Sequence, residues 1–321
     1  MSKSAVAKAP TLAPKKGFAK VMLNVQQHWQ LYLMVILPTA YLILFNYVPA
    51  YGLMIAWKKY SPRLGIWNSP WIGWKNFQTF FNYYEWPKLI WNTLALSLYQ
   101  IFAGFPIPVA LALVMHVYTG KGLKKVAQNI SYIPNFISLV VMVGMLNTLL
   151  NPVSGLMGTI NRLLGDTAYV DIRGSEEAFR HLYVWSGIWQ GAGWSTIIYV
   201  SALSGVPEEL HEAAKLDGAS RLRRVFSVDF PTILPTVALM LIMRFGSIMS
   251  VGYQKAFLMQ NGMNKEVSEI ISTYVYKNGL RSGNMSFGTA VGLMQSVVNT
   301  ILVFIVNWIT NVLTDNEMGL F

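Results

Sequence analysis

Long apolar runs separated by short polar segments set the pattern of this 321-residue chain. Six runs reach the roughly 20 residues of helix that a hydrocarbon layer of about 30 Å requires. They cover residues 31–57, 89–118, 130–150, 181–203, 232–257 and 287–313. All fourteen acidic residues fall in the tails and in the connections between these runs. A helix satisfies its own backbone groups where no water can reach them, so the runs predict six transmembrane helices. Pro38 and Pro49 in the first run, and Gly104, Pro106 and Pro108 in the second, predict local breaks. Such breaks are tolerated where neighbouring helices or a wet cavity re-satisfy the freed backbone. The expectation is an all-α integral membrane protein.

Composition sharpens this picture. Hydrophobic residues make up 54% of the chain and charged residues 12%, about half the share usual in a soluble domain. There is no cysteine, which excludes a disulfide framework, thiolate metal sites and thiol nucleophiles. A formal net charge of +11 raises nucleic acid as a partner. The basic residues are spread over the loops, however, and anionic membrane lipid is the better counter-charge, so no nucleic acid is expected. Twelve Lys or Arg lie on the side of the N-terminal tail and eleven on the other, so charge alone does not orient the chain. The tail carries Lys3, Lys8, Lys15, Lys16 and Lys20, and then Phe18, Val21, Met22, Val25 and Trp29 at helical spacing. Residues 1–30 therefore read as a tail with an amphipathic interfacial helix, or as an extension of the first membrane helix. Residues 31–321 form the six-helix domain.

One polar island, residues 206–231, interrupts the apolar pattern between the fourth and fifth runs. Glu208, Glu209 and Glu212 suit the first turns of a helix, Gly218 its stop, and Arg221, Arg223 and Arg224 a second, basic helix. Glu212-Ala213-Ala214, then Gly218 after three residues, then Val228-Asp229-Phe230-Pro231 after nine more, resemble the EAA loop of ABC-importer permeases. Gly73-Trp74-Lys75-Asn76-Phe77 with Asn92-Thr93 resembles a second segment of carbohydrate-importer permeases. Arg244–Met249, Val251-Gly252-Tyr253, 269–276 and Ala290-Val291-Gly292-Leu293 resemble the branch serving complex oligosaccharides and polysaccharide fragments. Within that branch the chain is similar to the first of the two permease subunits of alginate-oligosaccharide importers.

The resemblance covers about residues 30–321 and implies a type I ABC-importer permease fold in a bacterial inner membrane. It implies a cytoplasmic loop at 206–231 and hence, with six spans, two cytoplasmic termini. The implied partners are a second related permease, two ATPase subunits, a periplasmic solute-binding protein, an oligosaccharide substrate and membrane lipid. No Gly-rich loop ending in Lys-Ser or Lys-Thr is present, so the chain has no phosphate cradle of its own. ATP and Mg are therefore expected on the partner ATPase, with no cofactor in this chain. Glu212, Ala213, Ala214, Asp217 and Gly218 are the expected ATPase-coupling residues, with capping of the second helix as an alternative role for Asp217.

The substrate path has weaker signatures. Arg244 stands near the middle of the fifth run, where a guanidinium needs a partner or a water-filled cavity. It can hold an anionic sugar by paired hydrogen bonds, or pair with backbone carbonyls or a partner subunit. Trp185, Trp189 and Gln190 offer aromatic faces beside an amide, and Asn147 adds a polar group at membrane depth; belt or interhelical roles are the alternatives. The aromatic first loop, from Trp67 through Trp86, reads as an interfacial belt or, alternatively, a sugar-stacking platform. His28, His116, His181 and His211 show no metal-ligand spacing, and no metal site is expected. A secondary transporter would place coupling carboxylates inside the membrane, and a membrane enzyme would gather acids or histidines at one face; neither pattern is present.

Overall fold

The computed structural model describes residues 25–118, 120–165, 171–314 and 318–320. The lysine-rich tail and most of the expected interfacial helix lie outside the described residues. Among those described, the regular elements are all helical, apart from one isolated antiparallel bridge between Lys58 and Trp71. The chain divides into two units, Met1–Met54 and Ile55–Phe321.

In the first unit, helix α1 (Trp29–Leu42) passes into a π turn at Ile43–Tyr47 and resumes at Val48–Ala50. Pro49 has no N–H to donate and its ring crowds the carbonyl four residues back, so the helix widens just ahead of it. The whole segment Trp29–Trp57 is apolar and long enough to span a bilayer.

In the second unit the short helix α2 (Lys75–Phe81) precedes α3 (Trp86–Gly104) and α4 (Pro106–Val117). These last two form one candidate span, Trp86–Val117. Within it Phe105 keeps a helical backbone and its N–H still donates to the Ile101 carbonyl at 2.9 Å, so the break expected at Gly104-Phe105-Pro106 is no more than a local irregularity. The run at 130–150 departs from expectation. Helix α5 (Lys121–Tyr132) ends in a 3-10 turn, and α6 (Leu139–Leu149) begins afresh, the two limbs Gly122–Phe136 and Leu139–Leu149 meeting at 98°. Pro134 removes a donor there, and the Ser138 hydroxyl caps α6 by accepting from the Val141 N–H at 3.4 Å. The carbonyl of Ile137, freed at the bend, accepts from the Gln190 side chain at 2.8 Å.

Helix α7 (Glu176–Leu203) lies at the centre and packs on α3, α4 and α5. Ser175 caps it, accepting from the Ala178 N–H at 3.3 Å, and Glu176 and Glu177 oppose the helix dipole in the first turn. The approach of α7 to α5 is closest at Gly193, where an added Cβ would meet the Ser131 carbonyl at 2.0 Å. After the polar island come α8 (Glu208–Leu216) and α9 (Arg221–Arg224), whose π turn Val225–Asp229 runs directly into α10 (Phe230–Phe245). Helices α11 (Tyr253–Met259), α12 (Ile271–Val275) and α13 (Met285–Leu313) complete the unit.

The run at 232–257 also departs from expectation, because α10 stops at Phe245 rather than continuing to 257. Residues 246–252 form an irregular segment pinned by neighbours rather than by helix bonds. Asn299 accepts from the Met249 N–H at 2.9 Å and donates to Ser250 Oγ at 2.9 Å, Gln295 donates to the Met249 carbonyl at 2.9 Å, and Ser97 donates to the Ile248 carbonyl. The segment's Ile248 and Met249 are buried with Phe80, Leu89, Ile101, Ile271, Phe287 and Val291. A second cluster, Val109, Ala112, Tyr199, Leu203 and Ile233, joins α4, α7 and α10.

The aromatic loop folds on itself. Trp57 stacks on Trp71 at 6.4 Å and meets Trp74 and Phe77 edge-on or tilted, while Tyr83 stacks on Tyr274 at 4.7 Å. Phe77 and Phe80 are buried. Those two rings are committed to packing, whereas Trp67, Trp71, Trp74, Phe81 and Tyr84 are exposed.

Candidate functional site

The polar island presents an exposed surface. No residue of α8 is buried, and Glu212 and Ala213 are exposed on it. Helix α8 ends in a left-handed stop: the Ala219 N–H donates to the Ala214 carbonyl at 2.9 Å, and Gly218 takes φ +76°. That conformation disfavours any side chain, although a Cβ there would meet no atom within 4 Å. The requirement for glycine is therefore a backbone requirement. Ser220, not Asp217, caps α9, its hydroxyl accepting from the Arg223 N–H at 3.3 Å. The capping alternative for Asp217 is thus corrected; Asp217 closes α8 and its side chain is exposed. Leu210, Leu216, Leu222 and Phe226 are exposed around the same loop, an apolar complement to its charges.

Below this loop, α10 leads to a polar cavity of about 290 Å³. Its walls include Ser97, Gln100 and Pro108 of α3 and α4, Gly187, Gly191 and Ser195 of α7, and Arg244, Ser247 and Ser250. Gly104 and Phe105, where α3 gives way to α4, also line it. Irregular backbone within a span is stable only where protein or water covers it, and the segment 246–252 lines this cavity through Ser247, Ile248, Ser250, Val251 and Gly252. Arg244 does reach a cavity, but by a different route from the one its sequence position suggested. It sits in the last turn of α10, where the helix dipole favours a cation, and not in mid-helix.

The other expected path residues do not join it. Trp185 and Trp189 line a separate, apolar cavity of about 420 Å³ with Met142, Met145, Leu146 and Leu149 of α6. Trp185 Nε1 donates to Tyr99 Oη at 3.0 Å, which in turn shares a 2.7 Å hydrogen bond with His181 Nδ1. Gln190 is spent on the Ile137 carbonyl, the interhelical role allowed for it above. Asn147 lies on α6 outside both cavities and accepts through its backbone carbonyl from Arg173 Nη1 at 3.1 Å. Gln100 was the better polar candidate.

At the opposite end of α3 from the polar island, charged groups knit the loops together. Lys88 pairs with Glu266, and Lys277 with Glu269 at 2.8 Å. Asn92, buried, donates to the Glu266 and Glu269 carbonyls at 2.8 and 3.1 Å and accepts from Arg180 at 3.0 Å. Asp171 grips Arg173 through two oxygens at 2.8 and 2.7 Å. The Arg173 hydrogen bonds hold the Asp171 carboxyl below its ordinary range, against a smaller opposing effect of burial. Likewise the Tyr83 hydroxyl, donating to Glu85, lowers that carboxyl.

A cluster absent from the linear reading joins the polar island to the bundle. His211 of α8, His116 in the last turn of α4 and Asp229 of the π turn converge, with Asp229 almost fully buried. Ninety-five positions separate the two histidines in the chain, so spacing carried no signal of their meeting.

An exposed helix–glycine–helix loop running straight into a cavity-lining helix defines a membrane transport subunit. Residues 91–314 match the family described as binding-protein-dependent transport system inner membrane component. The chain belongs to this family: it is a multi-pass membrane protein of type I ABC permease fold, and a transport subunit rather than an enzyme. It is 38% identical over 309 residues to the polygalacturonan/rhamnogalacturonan transport system permease protein YteP of Bacillus subtilis (strain 168), covering 95% of this chain and 96% of that one. To Protein LplB of the same organism it is 36% identical over 315 residues, covering 98% and 97%. It also resembles a chain of the crystal structure of a bacterial ABC transporter involved in the import of the acidic polysaccharide alginate. That likeness has a TM-score of 0.82 and 33% identity, over 91% of this chain and 98% of the other. With the alginate transporter in complex with an alginate pentasaccharide-bound periplasmic protein, the TM-score is 0.83 at 32% identity, over 94% and 100%.

Proposed function

We propose that this chain forms half of the translocation path of a binding-protein-dependent importer of acidic oligosaccharides, paired with a second, related permease. Two copies of a separate ATPase, carrying ATP and Mg, would bind the loops 206–231 of the two permeases, and a periplasmic solute-binding protein would deliver the sugar. In this reading Glu212, Ala213, Ala214, Asp217 and Gly218 form the coupling surface on the cytoplasmic side. Both termini are then cytoplasmic and the chain crosses the membrane six times. Among the described residues four helices, or five with the bent pair, are apolar enough to cross on their own composition. The remaining crossing is α7: its 28 residues extend about 42 Å.

The observation that carries the proposal is the unbroken path from α9 through the π turn to Arg244. Movement of the loop by an ATPase is transmitted along one continuous helical rod to the cavity wall. The preference for acidic sugar rests on Arg244, supported by relatives named for polygalacturonan and alginate transport. A fork of N–H donors matches a carboxylate bidentately, and a glutamine in its place keeps hydrogen bonding but loses the charge. In proteoliposomes holding the whole transporter, Arg244→Gln is expected to slow uptake of oligogalacturonate or oligoalginate about tenfold or more, with smaller effect on a neutral oligosaccharide. Equal rates for native and variant transporters on the acidic substrates would remove Arg244 from the path.

A further inference from the structure

We infer that His116, His211 and Asp229 form a binding site for a first-row divalent cation of the Zn²⁺ class, clamping α8 to the end of α4. Asp229 Oδ1 lies 3.0 Å from His211 Nε2 and 3.5 Å from His116 Nε2. All three candidate ligand atoms lie within 4.8 Å of one another. Around a tetrahedral Zn²⁺, bond lengths of about 2.0–2.2 Å put neighbouring ligand atoms roughly 3.3 Å apart. The set needs little more than a ring rotation to close on an ion.

Two further observations separate this cluster from an ordinary ion pair. Asp229 is 2% exposed, yet its Oδ1 and the nearby Nε2 of His211 are both buried without an aligned hydrogen bond. Their 3.0 Å separation brings both atoms toward a common point without an aligned hydrogen bond between them. Leaving such groups buried and unsatisfied is costly, and a shared cation relieves both. The two imidazole rings, with centroids 6.0 Å apart, approach from different helices, as ligands around one ion must. Two histidines and one carboxylate are a common donor set for a cation with an open fourth position, which here a water would fill. Lys124 acts on His116 electrostatically and opposes cation binding, so the expected affinity is moderate, suited to a reversible ion.

The binding site stands on geometry alone. Its consequence, that a bound ion stiffens the coupling loop and slows ATP-driven turnover, rests additionally on the function proposed above. The two are tested separately. The full chain, purified in detergent without a polyhistidine tag, is titrated with Co²⁺, whose visible d–d absorption is intense only in four-coordinate geometry. One Co²⁺ per chain is expected, displaced by Zn²⁺, with affinity lowered about tenfold or more in both His116→Gln and His211→Gln. Both positions are partly exposed and their variants are expected to fold; melting temperatures without metal check this. No saturable Co²⁺ band with the native chain overturns the site, whatever the variants do. A band unchanged in both variants overturns it equally. Turnover of the reconstituted transporter with and without Zn²⁺ then tests the consequence alone.

Discussion

Single residues decide whether the polar island is a surface or merely a connection. Gly218 holds φ +76° with open space where a Cβ would be, so its replacement acts on the backbone and not through a clash. Gly218→Ala is expected to cost about 1 kcal/mol in the loop's conformation, or about a fivefold loss of affinity for the partner ATPase. Co-sedimentation of ATPase with the permease pair checks this, and unchanged affinity would mean that the loop does not need its left-handed turn. Asp171 poses a separate, electrostatic test. Its carboxyl lies below its ordinary value because Arg173 donates to it. Its stabilising contribution is therefore full above the unfolded carboxylate value of about 3.9 and is lost as pH falls through the lower folded value. At neutral pH, Asp171→Asn is expected to destabilise by about 1 kcal/mol or less, since the pair is partly solvated. The difference between variant and native melting temperatures should shrink on acidification to below about pH 4. A difference that grows instead would show that Asp171 acts through something other than its charge.

Elements show where pattern was a good guide and where it was not. The hydrophobic runs marked the spans Trp29–Trp57, Trp86–Val117 and Met285–Leu313 within a few residues, because each is apolar along its length. The Glu-Ala-Ala to Gly spacing located α8 and its stop correctly, because local backbone chemistry fixes both. Hydropathy failed at 130–150 and 232–257, where apolar residues continue straight through a change of backbone conformation. Ile248 and Met249 look like membrane-helix residues but are core residues of an irregular segment, held by Asn299 and Gln295 from another helix. Those partners lie almost fifty positions away, and no local window contains them. The same distance problem hid the meeting of His116 with His211, and split Trp185 and Trp189 from Arg244. Close helix packing is a further tertiary property: Gly193→Ala places a Cβ against the Ser131 carbonyl. A loss of about 3 kcal/mol is expected, read as a lower melting temperature in detergent. An unchanged melting temperature would contradict the close α5–α7 contact.

At the scale of the whole molecule, the second unit has the organisation of a lever. Its exposed end is the helix–glycine–helix loop, its shaft is α9 to α10, and its working end is the cavity beside Arg244, Ser247 and Ser250. Serines, Gln100 and Arg244 line that cavity together with Ile101, Phe105, Ile188 and Ile248, so it offers hydrogen-bonding groups beside apolar ones. The most direct test of this account is ATP hydrolysis by the reconstituted transporter, stimulated by its ligand-loaded binding protein, in native form and with Gly218→Pro. Proline cannot adopt the positive φ of the turn, so the account predicts loss of stimulation while the two permeases still assemble. Stimulation equal to native, with the variant chain fully incorporated, would contradict the assignment of this loop as the coupling element.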